Sequence, residues 1–238
     1  MKVHLTKFIF SILVLGTIII LVGGYFNLIP KAALFMGTNK PKDLSVRFSD
    51  QTINNIKKKS GIISSATSAT AVPTYIGSKE LEISLDSQEL TAWARNRGWE
   101  SYPVSNAQIK ISNNGSIEAS ATVLGSKLSD WITATGGKAS IVDMVKSKIP
   151  VKLKDFPVYF KGTASVTNNQ VSIYFDKLQI SNIPIPMSLL NDNKEAVDNF
   201  VEERIDFVAG LYIKKLYFEN GKMNFVGTVP EKEIILIR

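Results

Sequence analysis

Phe8 to Leu28 reads FIFSILVLGTIIILVGGYFNL, 21 residues without a charge. Nothing else in the chain restricts its fold as strongly. Wound as a helix at ~1.5 Å per residue, such a stretch is about 31 Å long and matches a hydrocarbon core of ~30 Å. Residues 1–29 therefore read as a short cytoplasmic tail and a transmembrane anchor. A cleavable signal has a basic start, an apolar stretch of ~7–15 residues and a small-residue cleavage site. Lys2 and Lys7 supply the basic start, but the apolar stretch is longer and Lys31-Ala32-Ala33 is a weak site, so the anchor is the preferred reading. Lys31, Lys40 and Lys42 beyond the stretch blunt the charge asymmetry that sets orientation. The short basic tail favours an inside N-terminus, with the main domain exported from the cell and held at its membrane through residues 8–28.

Charge follows the same division. The formal net charge is +7, and residues 1–42 supply +5 of it through five lysines with no acid. The rest of the chain is close to neutral, so nucleic acid is not an expected partner. The excess sits where basic side chains meet lipid headgroups. The run Lys57-Lys58-Lys59 reads as a solvated helix end.

The chain has no cysteine, and its one histidine is His4. Disulfides, thiolate nucleophiles and zinc–thiolate sites are thereby excluded. No histidine base is available to the main domain. No phosphate loop, GxSxG elbow, HExxH or EF-hand pattern occurs. The sequence thus reads as a non-enzyme with no cofactor, no metal site and no catalytic residues. A hydrolase of envelope polymers would require carboxylates converging in a cleft.

Residues 30–42, PKAALFMGTNKPK, read as a tether. Residues 43–78 form an accessory unit. Within it, Asp43 to Ile56 resembles Glu80 to Trp93, each alternating like a strand and then switching to helical spacing after a polar pair, Ser49-Asp50 or Asp86-Ser87. Ser60 to Ser78, rich in small residues, reads as a flexible connector. Residues 79–238 make an α+β domain. Three hairpins are predicted, turning at Asn113-Asn114-Gly115, Thr167-Asn168-Asn169 and Asn220-Gly221. Apolar parity shifts between Phe175 and Leu178, predicting a bulge near Asp176-Lys177. Leu124 to Ile149 reads as two short helices around Gly136-Gly137. A longer amphipathic helix is predicted over Ser188 to Ala209, entered through Pro184 and Pro186, ended by Gly210, and lying on the concave side of a curved antiparallel sheet.

The succession of YFKGTASVTNNQVSIYFDKLQI (Tyr159–Ile180), NIPIPMSLL (Asn182–Leu190) and LYIKKLYFENGKMNFVGTVP (Leu211–Pro230) resembles the bacterial LmeA-like phospholipid-binding proteins and the YpmS-like membrane-anchored proteins. Both resemble the tubular lipid-binding (TULIP) superfamily. Over about residues 80–230 the resemblance implies a twisted antiparallel sheet wrapped round a long helix. It also implies binding or transfer of lipid rather than chemistry.

On that reading Phe160, Ile173, Phe175, Leu190, Val197, Phe200, Val201 and Val208 line a groove for a phospholipid or fatty-acyl ligand, against the plainer reading that they fill a core. Leu128, Trp131 and Ile132 are candidates for a membrane-interface tip, since indole favours that boundary; the alternative is a packed short helix. Trp93 and Trp99 bracket Arg95 and Arg97, which suit an anionic headgroup or a solvated helix end. The function expected is an anchored, extracytoplasmic lipid-handling module. The competing reading is a ligand-free structural or protein-interaction module of the envelope.

Overall fold

The structure is a computed structural model, describing residues 2–26, 28–67, 72–137 and 155–236. A helix, α1 (Lys2–Tyr25), and a short α2 (Pro30–Met36) precede α3 (Asp50–Ser60), β1 (Ile63–Thr67), β2 (Thr74–Ile76), β3 (Lys79–Asp86) and α4 (Ser87–Arg95). Then come β4 (Val104–Ile111), β5 (Ile117–Val123), α5 (Gly125–Ala134), β6 (Phe156–Thr167), β7 (Gln170–Ile180) and β8 (Ile183–Pro184). The chain continues through α6 (Met187–Asp192), α7 (Lys194–Asp206), β9 (Tyr212–Glu219), β10 (Lys222–Val229) and β11 (Lys232–Leu236). The architecture is α+β, built on a strongly curled antiparallel half-barrel.

All three hairpins form with the expected turns. Ile117 pairs Ile111, Gln170 pairs Thr167, and Lys222 pairs Glu219. Asn168, Asn169, Asn220 and Gly221 hold the positive φ that such two-residue turns need. The large sheet runs β3-β10-β9-β6-β5-β4, with β7 on the other side of β6. One edge of β6 carries both wings: Phe156–Gly162 pairs β5, and Val166-Thr167 pairs β9. The wings diverge, and α4 sits in the angle between them, its Ala94 against Ala107 and Ala121 and its Leu90 against Leu85 and Ile111.

Besides the irregularity in the β4–β5 ladder between Ser105 and Gln108, two bulges opposite glycines interrupt the sheet. Between β6 and β7, Lys161 pairs Lys177 while Gly162 pairs Phe175, leaving Asp176 as the extra residue, at the position the parity shift predicts. Between β9 and β10, Val226 pairs Lys215 while Gly227 pairs Ile213, leaving Lys214 extra. Opposite each bulge stands a glycine with no room for a side chain. A Cβ would lie 1.9 Å from the Tyr174 carbonyl oxygen at Gly162 and 2.0 Å from that of Tyr212 at Gly227.

Several expectations are corrected. The single spanning helix over residues 8–28 is not supported. Among the described residues no single helix is long and apolar enough to cross a membrane, and Val14–Tyr25 with Pro30–Met36 qualifies only as a pair bent by 75°. The tether is not loose: residues 30–36 are helical, and the following strap crosses the convex face of the sheet. There Gln108 Oε1 accepts the backbone N–H groups of Leu44 and Val46 at 2.9 and 3.3 Å, while both side chains bury against Tyr159. Residues 43–48 therefore form no ladder strand, because a side chain takes the place of a neighbouring strand. The two helix caps do form: the hydroxyl of Ser49 and the carboxylate of Asp86 accept the N–H groups of Thr52 and Glu89 in capping boxes. The connector contains β1 and β2, which flank β11 in a small separate sheet. The Ser188–Ala209 helix is two helices broken at Asn193, whose side-chain amide donates to the Leu189 carbonyl instead of continuing the turn. The second half of the predicted 124–149 pair falls outside the described residues.

Candidate functional site

A groove of about 280 Å³ opens on the concave side. Its floor is Leu81, Ile83 and Leu85 of β3, Met223, Phe225 and Val229 of β10, and Ile213 and Leu216 of β9. Residues 81, 83 and 85 share a face by strand alternation. Ile213 and Leu216 are three apart and share a face only because the Lys214 bulge reverses parity between them. The walls come from Ile56 of α3, Leu90 and Trp93 of α4, and the turn after α7 through Val208 and Leu211.

One end of this apolar trough is polar. Arg97, just beyond α4, donates from Nη2 to Glu233 Oε1 of β11 at 2.9 Å. Its guanidinium carbon lies 5.0 Å from the centre of the Trp93 ring. Glu233 is buried, and Tyr75 of β2 lines the same end. Burial, followed by the negative charge of Glu233, pushes the Tyr75 hydroxyl up to about 12, so it stays neutral and able to donate. A smaller adjoining cavity of about 80 Å³ shares Trp93, Arg97 and Glu233 and adds Lys57 and Asn96. The guanidinium has five N–H donors and lines both spaces, so the polar end can take up an anionic or hydrogen-bonding group while the trough takes up apolar surface.

The residues singled out in the sequence distribute differently. Val208 lines the groove. Val201, with Ile205, packs against the cluster of Ile213, Phe225 and Val229 beneath it. Leu190 is buried, and Val197 is half-buried on α7. Phe160 and Phe175 stack edge to face at 5.5 Å across the β6–β7 pair. Ile173 lies on β7, where its backbone N–H donates to Asp198 at 3.1 Å. Phe200 meets Trp131 at 6.3 Å and lies under the Arg204 guanidinium. The interface candidates on α5 face inward or sideways. Ile132 is 3% exposed, Leu128 is half-buried, and Trp131 packs towards Trp99, Ala134 and Ile235. Of the Arg95–Arg97 pair, Arg95 rests over Phe48 and Arg97 reaches the groove.

The lining residues of β3, β9 and β10 carried a signal in their alternation. What the sequence lacked was the partner of those faces, which comes from α3, α4 and β11. Among the described residues, Glu233 is the one carboxylate in the groove lining. Glu118, held below its usual range chiefly by the Tyr159 hydroxyl, lies on the convex face, and Asp43, lowered by Arg47, lies on the strap. Among the described residues no group of three or more potential metal ligands converges. Comparison with protein-family models, with curated proteins and with solved structures finds no match to this chain.

Proposed function

We propose that this chain is a membrane-anchored, extracytoplasmic protein that holds a lipid or other apolar ligand in the concave groove, without carrying out chemistry on it. One observation carries the reading: a trough of about 280 Å³ walled by aliphatic and aromatic side chains, with Arg97, Glu233 and Tyr75 grouped in its lining. Its size is near the lower end of small-molecule pockets, ~300–1,000 Å³, whose mix of apolar walls and few convergent polar groups it shares. An acyl chain entering it gains ~0.8 kcal/mol per buried methylene. The resemblance to LmeA-like and YpmS-like proteins, and through them to the tubular lipid-binding fold, favours a lipid ligand, although the long helix it implies is here two helices broken at Asn193. The proposed ligand seat is the space between the β3-β10-β9 wing and α3, α4 and β11, and of the 188–209 region it takes Val208 into its lining. Anchoring rests on the uncharged run at residues 8–28.

The test is native mass spectrometry of the full chain released from detergent, paired with uptake of a fluorescent fatty acid. Copurified lipid, and uptake abolished by Leu216→Trp at unchanged unfolding midpoint, is the expected result. No copurified lipid together with no uptake overturns the reading in favour of a ligand-free interaction module.

A further inference from the structure

The elbow between α1 and α2 is a built joint, and its outer surface is apolar. The N–H groups of Leu28 and Ile29 both donate to the Gly23 carbonyl, at 2.7 and 3.1 Å. Ala32 and Met36 fold back on Gly24 so closely that a Cβ there would lie 2.8 Å from each, and the Ile29 side chain closes equally tightly on Gly23. The Gly23-Gly24 pair therefore makes the turn possible. Thr38 Oγ1 donates to the Gly24 carbonyl at 2.5 Å, and Ala33 is fully buried inside the joint. The main domain grips the joint as well. Asn182, at the β7–β8 turn, donates from Nδ2 to the carbonyls of Tyr25 and Thr38, both at 3.2 Å.

The opposite side of α2 faces outward with side chains that water does not favour. Phe35 is 93% exposed and Leu34 65% exposed, and Leu28 lies exposed beside them. Lys31 and Lys40 flank these residues, and the segment from 26 to 42 contains no acidic side chain. An apolar face edged by lysines is the pattern of a helix lying in the headgroup–acyl boundary, where the rings and aliphatic chains enter the acyl region and the ammonium groups meet lipid phosphates. The geometry agrees. With α1 along the bilayer normal, the 75° bend sets α2 nearly parallel to the membrane plane.

We propose that α2 is an interfacial helix seated on an anionic bilayer surface, and that Asn182 fixes the domain to it, so that the β7–β8 end of the half-barrel is held at the membrane in one orientation. This rests on the anchoring proposed above from the uncharged run, of which α1 carries residues 8–25, ~27 Å of helix, and not on the bent pair crossing as one broken span. A seven-residue helix with two embedded side chains binds weakly by itself; attached to an anchor, it needs only to orient what is already there.

The chain lacks cysteine, so single nitroxide labels can be placed without further changes. Leu21→Cys, Phe35→Cys and Tyr174→Cys are made in the full chain, reconstituted in vesicles of phosphatidylcholine and phosphatidylglycerol. Accessibility to oxygen and to a water-soluble nickel chelate is then read by electron paramagnetic resonance. The expected order is Leu21 deep, Phe35 at the headgroup–acyl boundary and Tyr174 in water. A water-exposed label at Leu21 overturns the anchor itself. With Leu21 deep, a Phe35 label as chelate-accessible as that at Tyr174 overturns the interfacial helix alone. A Phe35 label as deep as Leu21 also overturns it, by making α2 the continuation of a broken span.

Discussion

Glu202 Oε1 accepts the backbone N–H of Val171 at 2.7 Å, so that a carboxylate on α7 does for the outer edge of β7 what a neighbouring strand would do. One turn earlier on the same helix, Asp198 receives the N–H of Ile173 at 3.1 Å. The opposite edge of the sheet is treated alike. Ser87 Oγ accepts the N–H of Ile111, and Thr91 Oγ1 accepts the N–H of Ile109 and donates to its carbonyl. Exposed sheet edges invite pairing with other chains, and at β4 and β7 side chains of α4 and α7 occupy them.

Glu202→Ala should accordingly destabilise the protein by about 1–3 kcal/mol, the cost of leaving a half-buried edge N–H without its acceptor. Glu202→Gln, whose carbonyl oxygen can still accept, should lose less than half of that. Asn199→Ala, on the exposed side of the same helix, should stay within ~0.5 kcal/mol. Denaturant unfolding of the three variants checks this. Equal midpoints for Glu202→Ala and Asn199→Ala would remove the edge-capping role.

The same contact marks how far the sequence could be read. Hairpins were legible because turn chemistry and alternation are local: Asn168-Asn169 and Asn220-Gly221 announce themselves, and the parity change near Asp176 announces a bulge. The Lys214 bulge was equally present in Ile213 and Leu216, yet three-residue spacing in a strand mimics a helical step and hides the shared face. Amphipathic periodicity locates the charged side of a helix but not whether a strand edge lies beside it. Most of the groove's lining was hidden for a related reason. Its floor is a set of ordinary alternating strands, and its walls come from α3 and β11, some 180 residues apart in the chain. Long-range pairing of β1 and β2 with β11 leaves little trace in a segment as rich in serine, alanine and threonine as residues 60–78.

Gly162→Ala and Gly227→Ala test whether the bulges set the curl. Each Cβ would meet a backbone carbonyl oxygen, that of Tyr174 or Tyr212, and neither can move without dissolving the bulge. Losses at or beyond the upper end of the ~0.5–3 kcal/mol typical of single substitutions are expected for both. Gly98→Ala provides the comparison: its φ of 65° is strained for alanine, but the space around it is open, so only the conformational cost of ~1–2 kcal/mol should appear. Circular dichroism and calorimetry distinguish the two sizes of effect.

The strap carries a pH signature. The Tyr159 hydroxyl donates to Glu118 Oε2 at 2.6 Å, and Lys42 lies 3.3 Å from the same oxygen. Together, the Tyr159 bond first, they hold the Glu118 carboxyl below its ordinary value of 4.5. A carboxyl lowered in the folded state stabilises the protein above its unfolded value, and that contribution disappears as pH falls through the folded one. Stability should therefore decline below about pH 4.5 partly through Glu118. Tyr159→Phe should move the Glu118 titration back up, visible in the side-chain carboxyl resonance, and flatten the acid limb of the stability curve. An unchanged titration would show that the hydroxyl does not hold the strap's anchor point.

Arg97 and Glu233 make the last prediction, because they are coupled across the polar end of the groove. Removing one partner of a buried ion pair strands the other charge at a cost of ~3–5 kcal/mol. Arg97 keeps a quarter of its side chain exposed, so solvent screening lowers the expected loss for Arg97→Met to about 2–3 kcal/mol. Glu233→Met leaves the guanidinium, which can turn towards water, and should cost less. The double variant should recover most of the loss, since an apolar pair of similar volume needs no desolvation of charge. The double-mutant cycle then gives the coupling free of the packing changes. If the pair also receives the polar end of a ligand, the double variant should keep its affinity for a neutral apolar probe and lose preference for the corresponding carboxylate. Equal affinities for the two probes in the parent chain would leave the pair with a structural role alone.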